Sequence, residues 1–124
     1  MNRSAVRLLL LVEASTFVVA AAIHFGAFLE GYDHLKAGIA ETVIAVALAA
    51  ALAFTWLRPP WPRRAAIAGQ GFAAFGVLVG LFTIAVGVGP RTAADIIYHL
   101  GILAVLVAGA VAVQGGTTWL KATS

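Results

Sequence analysis

Residues 36–57 read KAGIAETVIAVALAAALAFTWL. Apart from Lys36 at its start, one charged residue, Glu41, interrupts a run of small and aliphatic side chains. At 1.5 Å per residue such a helix is about 33 Å long, enough to cross a hydrocarbon layer of about 30 Å. Its apolar residues fall on every face, as in a membrane span and unlike a surface helix of a soluble domain. Three further runs of this kind flank it, so that spans are expected at about Ala5–Phe28, Lys36–Leu57, Ala65–Val88 and Thr92–Val113. Across its 124 residues the chain is 62% hydrophobic and 10% charged, and its mean hydropathy of +1.00 belongs to a membrane protein.

The connections are short, which makes neighbouring spans antiparallel. The expected fold is all-α: a single-domain integral membrane four-helix bundle of up-down-up-down order. RPPWPRR, with Pro59, Pro60 and Pro62, breaks the chain between spans two and three. GVGPRT separates spans three and four, with Thr92 placed to cap the last helix. EGYDHLKAG, after span one, is rich in ionisable groups. Arg3 and Arg7 before an apolar stretch resemble a secretory signal, but Glu13 interrupts the stretch, and span one is expected to be retained. Small residues recur in every span and permit close helix approach, foremost within the chain.

Six of the eight Lys and Arg residues (Arg3, Arg7, Arg58, Arg63, Arg64 and Lys121) fall at one end, against Lys36 and Arg91 at the other. The positive-inside rule then places both termini in the cytoplasm, in a bacterial inner membrane, with Trp56, Trp61 and Trp119 at the inner boundary. No basic groove suggests nucleic acid. Without cysteine there is neither a disulfide nor a thiolate metal site.

The informative residues are the polar ones inside the apolar layer. A carboxylate at mid-membrane costs on the order of 3 kcal/mol, so such groups turn inward, towards each other or a ligand. His24, Glu41, Asp95 and His99 all fall about 5 to 10 Å below the outer boundary. Asp95 and His99 are four residues apart and share a helix face, with Tyr98 adjoining. Glu13 and His24 return to the same face of span one, and His34 shares a face with Glu41 if the second helix begins early. Gln70 lies deeper in span three. The stretch RTAADIIYH, 91–99, therefore reads as one wall of an outward-facing pocket lined by His24, Glu41, Asp95, Tyr98 and His99, with Arg91 and His34 at its rim. Arg91 is placed to pair with Asp95, Glu30 or Asp33.

Two imidazoles and two carboxylates suit a borderline or hard metal ion, and His24 with His99 would suit the axial positions of a b-type haem. A small organic ligand fits the same pocket. Glu13 raises a second possibility, a proton-coupled transporter working as a homodimer, with this carboxyl as the coupling group. A third is a non-catalytic accessory subunit of a larger membrane complex, whose polar groups only lock its helices together. The ligand reading requires a cavity between His24 and His99, expected within about 10 Å of each other because adjacent helix axes lie 8 to 10 Å apart. The locking reading requires direct imidazole–carboxylate hydrogen bonds and no space.

The four-span layout, the stretch AGIAETVIAVALAAAL with its early acid, the arginines leading into span three and the polar start of span four resemble the DoxX-like group of small membrane proteins. That resemblance implies a four-helix bundle and, in some members, association with quinone-linked oxidoreductases. It assigns no functional residue.

Overall fold

A computed structural model describes residues 1–58 and 60–115. Pro59, Trp119 and Lys121 lie outside the described residues. The chain is all-α, with helices α1 (Arg3–His24), α2 (Leu35–Leu57), α3 (Pro62–Ala85) and α4 (Ala93–Gly115) and no strand among the described residues. Each of the four is long and apolar enough to cross a membrane.

Local chemistry sets the helix ends. The Asn2 side chain accepts from the Ala5 N–H at 2.8 Å, capping α1. Helix α1 stops at His24, four residues short of the span expected from hydropathy. Gly26 turns the chain at φ +89°, and Phe28 follows at φ +70°, a left-handed conformation uncommon for a bulky residue. His34 caps α2, its Nδ1 accepting from the Ala37 N–H at 3.1 Å. Helix α3 starts three residues earlier than expected because Pro62 occupies its first turn, where the missing N–H costs nothing. It ends before Gly87 at φ +84°. Thr92 and Asp95 form a reciprocal capping box at the start of α4. The Thr92 Oγ1 accepts from the Asp95 N–H at 3.1 Å, and Asp95 Oδ2 accepts from the Thr92 N–H at 3.1 Å.

Leu10, Phe17, Leu48, Ala66, Ala73, Val77 and Leu106 are buried at the centre, while Leu8, Val46, Phe75, Phe82, Ile97 and Val111 are exposed on the outside. Glycines bring α2 and α3 together. A Cβ added at Gly69 would lie 2.7 Å from the Ala51 Cβ, and one at Gly76 would lie 2.7 Å from Ile44 Cδ1. Successive helices pack closely, whereas α1 and α4 barely touch. Arg7 of α1 donates from Nε to the Thr55 hydroxyl at 3.0 Å and from Nη2 to its carbonyl at 2.9 Å, with its guanidinium over the Trp56 ring. Arg63 of α3 donates to the Gln114 carbonyl of α4.

Candidate functional site

The ionisable residues of the apolar layer separate into three places. The first joins α2 to α4. Glu41 is 4% exposed, and its Oε2 accepts from the Tyr98 hydroxyl at 2.9 Å. His99, next along α4, is buried, and its Nδ1 lies 2.6 Å from the Asp95 carbonyl oxygen. A carbonyl only accepts, so Nδ1 carries a hydrogen, and in a neutral ring Nε2 is then the lone-pair nitrogen. That Nε2 rests against α3, where a Cβ added at Gly80 would meet it at 2.9 Å. Glu41, His99 and His34 line one cavity of about 160 Å³ together with Lys36, Thr83 and apolar groups such as Phe17, Val77 and Ile84. His99 Nε2 and Glu41 Oε1 have no hydrogen bond to any described residue.

The second place lies on the other side of Tyr98. His24, Asp95, Tyr32 and one side of Tyr98 border a groove of about 710 Å³ between α1 and α4. His24 Nδ1 donates to the Tyr32 carbonyl at 3.0 Å. Thus His24 and His99 are both buried, yet they line different cavities, and the single space between them that the ligand reading required is not formed. The Tyr98 ring stands edge-on to Phe17 and to His99, at centroid distances of 6.5 and 5.2 Å.

The third place is deeper. Glu13, fully buried, receives Gln70 Nε2 on both carboxyl oxygens, at 2.9 and 3.2 Å. The backbone of α4 seals the pair, for a Cβ at Gly109 would lie 2.6 Å from Gln70 Nε2 and 3.0 Å from Glu13 Oε1. Gln70 Oε1 is buried without a partner among the described residues.

Several pairings differ from those the sequence suggested. Arg91 meets none of the acids expected for it: it donates from Nε to the Ile84 carbonyl at 3.1 Å and from Nη2 to that of Ala85 at 3.3 Å. The last carbonyls of α3 have no helical partner, and a guanidinium satisfies them without leaving its own turn. Asp95 is held by Thr92 instead. Glu41 takes its hydrogen bond from a phenol and not from an imidazole, so the direct imidazole–carboxylate bonds of a purely locking network do not form here. His34 stands before α2 as its cap, and still reaches the Glu41 cavity. Gln70 as the partner of Glu13 was not foreseen, although it is the one amide in α3 and sits at a similar distance into its helix.

No set of three His, Asp or Glu side chains suited to hold a metal ion comes together among the described residues. No family model, curated protein or solved structure matches the chain.

Proposed function

We propose that the chain is an integral membrane protein whose helices cross the bilayer alternately up and down, with both termini on the cytoplasmic face of a bacterial inner membrane. The contacts support this reading. Arg7 near the start of α1 meets Thr55 near the end of α2, and Arg63 at the start of α3 meets Gln114 at the end of α4, as antiparallel neighbours do. Glu13 with Gln70, and Glu41 with Tyr98, join residues at similar distances into their helices, as parallel partners do. Exposed aliphatic and aromatic residues all round the bundle suit a lipid surround. The excess of arginines at one end supports the orientation, and the resemblance to the DoxX-like group agrees with a bundle of four spans.

Within that frame the chain binds a small, largely apolar molecule carrying a hydrogen-bond donor. One observation carries this reading: a cavity of about 160 Å³ faced by two buried polar side chains, Glu41 and His99, each with an acceptor atom free of any described partner. An apolar cavity of about 150 Å³ holds a benzene ring, so the size suits one ring or a short branched chain. The acceptors Glu41 Oε1 and His99 Nε2 select for a hydroxyl or an amine. An organic ligand is favoured over a metal ion or haem because His24 and His99 face different spaces and no third ligand joins either.

Phenol and toluene have nearly the same size and differ in the donor, so their binding to the purified protein tests the proposal by calorimetry. Phenol is expected to bind about tenfold more tightly, the worth of one hydrogen bond to a charged or strongly accepting group. His99→Leu should reduce the difference, leaving Glu41 Oε1 as the remaining acceptor. Equal affinity for both compounds, or binding of neither, would overturn the proposal.

A further inference from the structure

The Glu41 cavity leaves unused the polar groups on the far side of Tyr98. There the groove of about 710 Å³ separates α1 from α4, and its two ends differ in character. Its length is set by α1, whose lining residues run from Leu11 to Ile23, about 18 Å of helix at 1.5 Å per residue. This trough is walled mainly by Leu11, Val12, Val19, Ala20 and Ile23. At its upper end stand His24 and Asp95, each 5% exposed, beside Tyr32.

Those two buried side chains present acceptors to the groove. His24 gives its Nδ1 hydrogen to the Tyr32 carbonyl, and in a neutral ring Nε2 then keeps its lone pair. Asp95 receives both its Thr92 hydrogen bonds on Oδ2, and Oδ1 receives none from a described residue. The nearby cation, Arg91, is spent on the α3 carbonyls. The Tyr98 hydroxyl is spent on Glu41. A long apolar trough below a pair of acceptors, one of them anionic when ionised, has the shape and charge of a receptor for a chain with a cationic, N–H-bearing head.

We infer that the α1–α4 groove binds a membrane amphiphile with a primary ammonium head, its chain lying along α1 and its N–H groups directed at Asp95 and His24. The inference rests on the membrane-spanning reading of the chain and is independent of the ligand proposed for the Glu41 cavity. It excludes a trimethylammonium head, which has charge but no N–H to donate, and it disfavours a head of net negative charge beside Asp95.

The test uses the full chain in nanodiscs of equal parts phosphatidylethanolamine and phosphatidylcholine with the same acyl chains. Lipid retained on the protein after mild release is counted by native mass spectrometry. Phosphatidylethanolamine should be retained over phosphatidylcholine by about tenfold, the size expected of a charge-assisted hydrogen bond. Asp95→Asn should remove most of that preference. Val19→Trp, at an exposed trough position, should fill the groove and reduce retention of both lipids, with helicity by circular dichroism unchanged; it serves as the test should Asp95→Asn fold poorly. Equal retention of the two heads, or retention indifferent to Val19→Trp, overturns the inference alone. Failure of the chain to enter nanodiscs overturns the membrane reading and this inference with it.

Discussion

Helices α1 and α2 each bury a carboxyl group, Glu13 at 0% and Glu41 at 4% exposure, and each is met by one neutral donor from another helix. The donors are an amide, Gln70, and a phenol, Tyr98. The surroundings differ. Behind Glu13 the α4 backbone closes in at Gly109, while beside Glu41 there is a cavity faced by His99 and His34. A carboxylate within the apolar layer costs on the order of 3 kcal/mol wherever it stands, so burial does not distinguish a lock from a site. Free space beside the group does. By that criterion Glu13 and Gln70 tie α1 to α3, and Glu41 is the residue that the proposed ligand would meet.

The largest effect that tests this contrast is expected at Gln70. Gln70→Met keeps the side-chain volume and removes the donor that Glu13, fully buried, has among the described residues. Stability should fall by about 2 to 3 kcal/mol, the penalty for a buried acceptor left unsatisfied, measured by SDS titration in mixed micelles followed by circular dichroism. The next effect compares two glycines. At Gly109 an added methyl would press on the fully enclosed Gln70 Nε2 at 2.6 Å and on Glu13 Oε1 at 3.0 Å. At Gly80 it would press on His99 Nε2 at 2.9 Å, and that ring borders a cavity. Gly109→Ala should therefore cost about 2 kcal/mol by overpacking, and Gly80→Ala less than about 1 kcal/mol. Gly80→Ala should nevertheless weaken phenol binding, because the imidazole is displaced into the space the ligand needs. If the two glycines prove equally intolerant, the outer cavity is not real space.

Much of this could be read from the residues and some could not. The four helices were legible from length and hydropathy. The cap at Thr92 was legible from its place after Pro90 at the head of the last apolar run, and Pro62 was a clear breaker though its role inside the first turn of α3 was not. The inward turn of Glu13, His24, Glu41, Asp95 and His99 followed from cost alone. What the sequence could not supply was rotation. Because α2, α3 and α4 are apolar on all sides, their patterns do not say which face meets which neighbour. Hence Tyr98, read as one more wall residue, divides the polar layer into two compartments, and Arg91 folds back on α3 where charge alone pointed to an acid. The α1–α4 groove also depends on a helix distance that no periodicity encodes.

Tyr98→Phe is the counterpart of the Gln70 change and should be milder. It leaves Glu41 without its donor, but a cavity beside a carboxyl group can admit water, and a bridging water is nearly as good as a direct bond. The expected loss is about 1 kcal/mol in the same SDS titration. A loss as large as that of Gln70→Met would mean that Glu41 is as sealed as Glu13, and the difference between the two regions would vanish.

The smallest effect is expected where the most is removed. Replacing Glu13 and Gln70 together by methionine deletes both members of the sealed pair and also the unpartnered Gln70 Oε1, leaving side chains of similar length against Gly109. Methionine is flexible enough to fill the irregular gap. No buried polar atom is then left orphaned, and exchange of a complete polar pair for apolar groups of the same shape is close to neutral. The double variant should lie within about 1 kcal/mol of the wild type, although Gln70→Met alone costs more, a coupling of the size seen between directly contacting residues. It should also bind phenol as the wild type does, since Glu41 and His99 are untouched. A double variant that folds normally but no longer binds phenol would assign the inner carboxyl a part in ligand binding and reverse the roles given to the two acids.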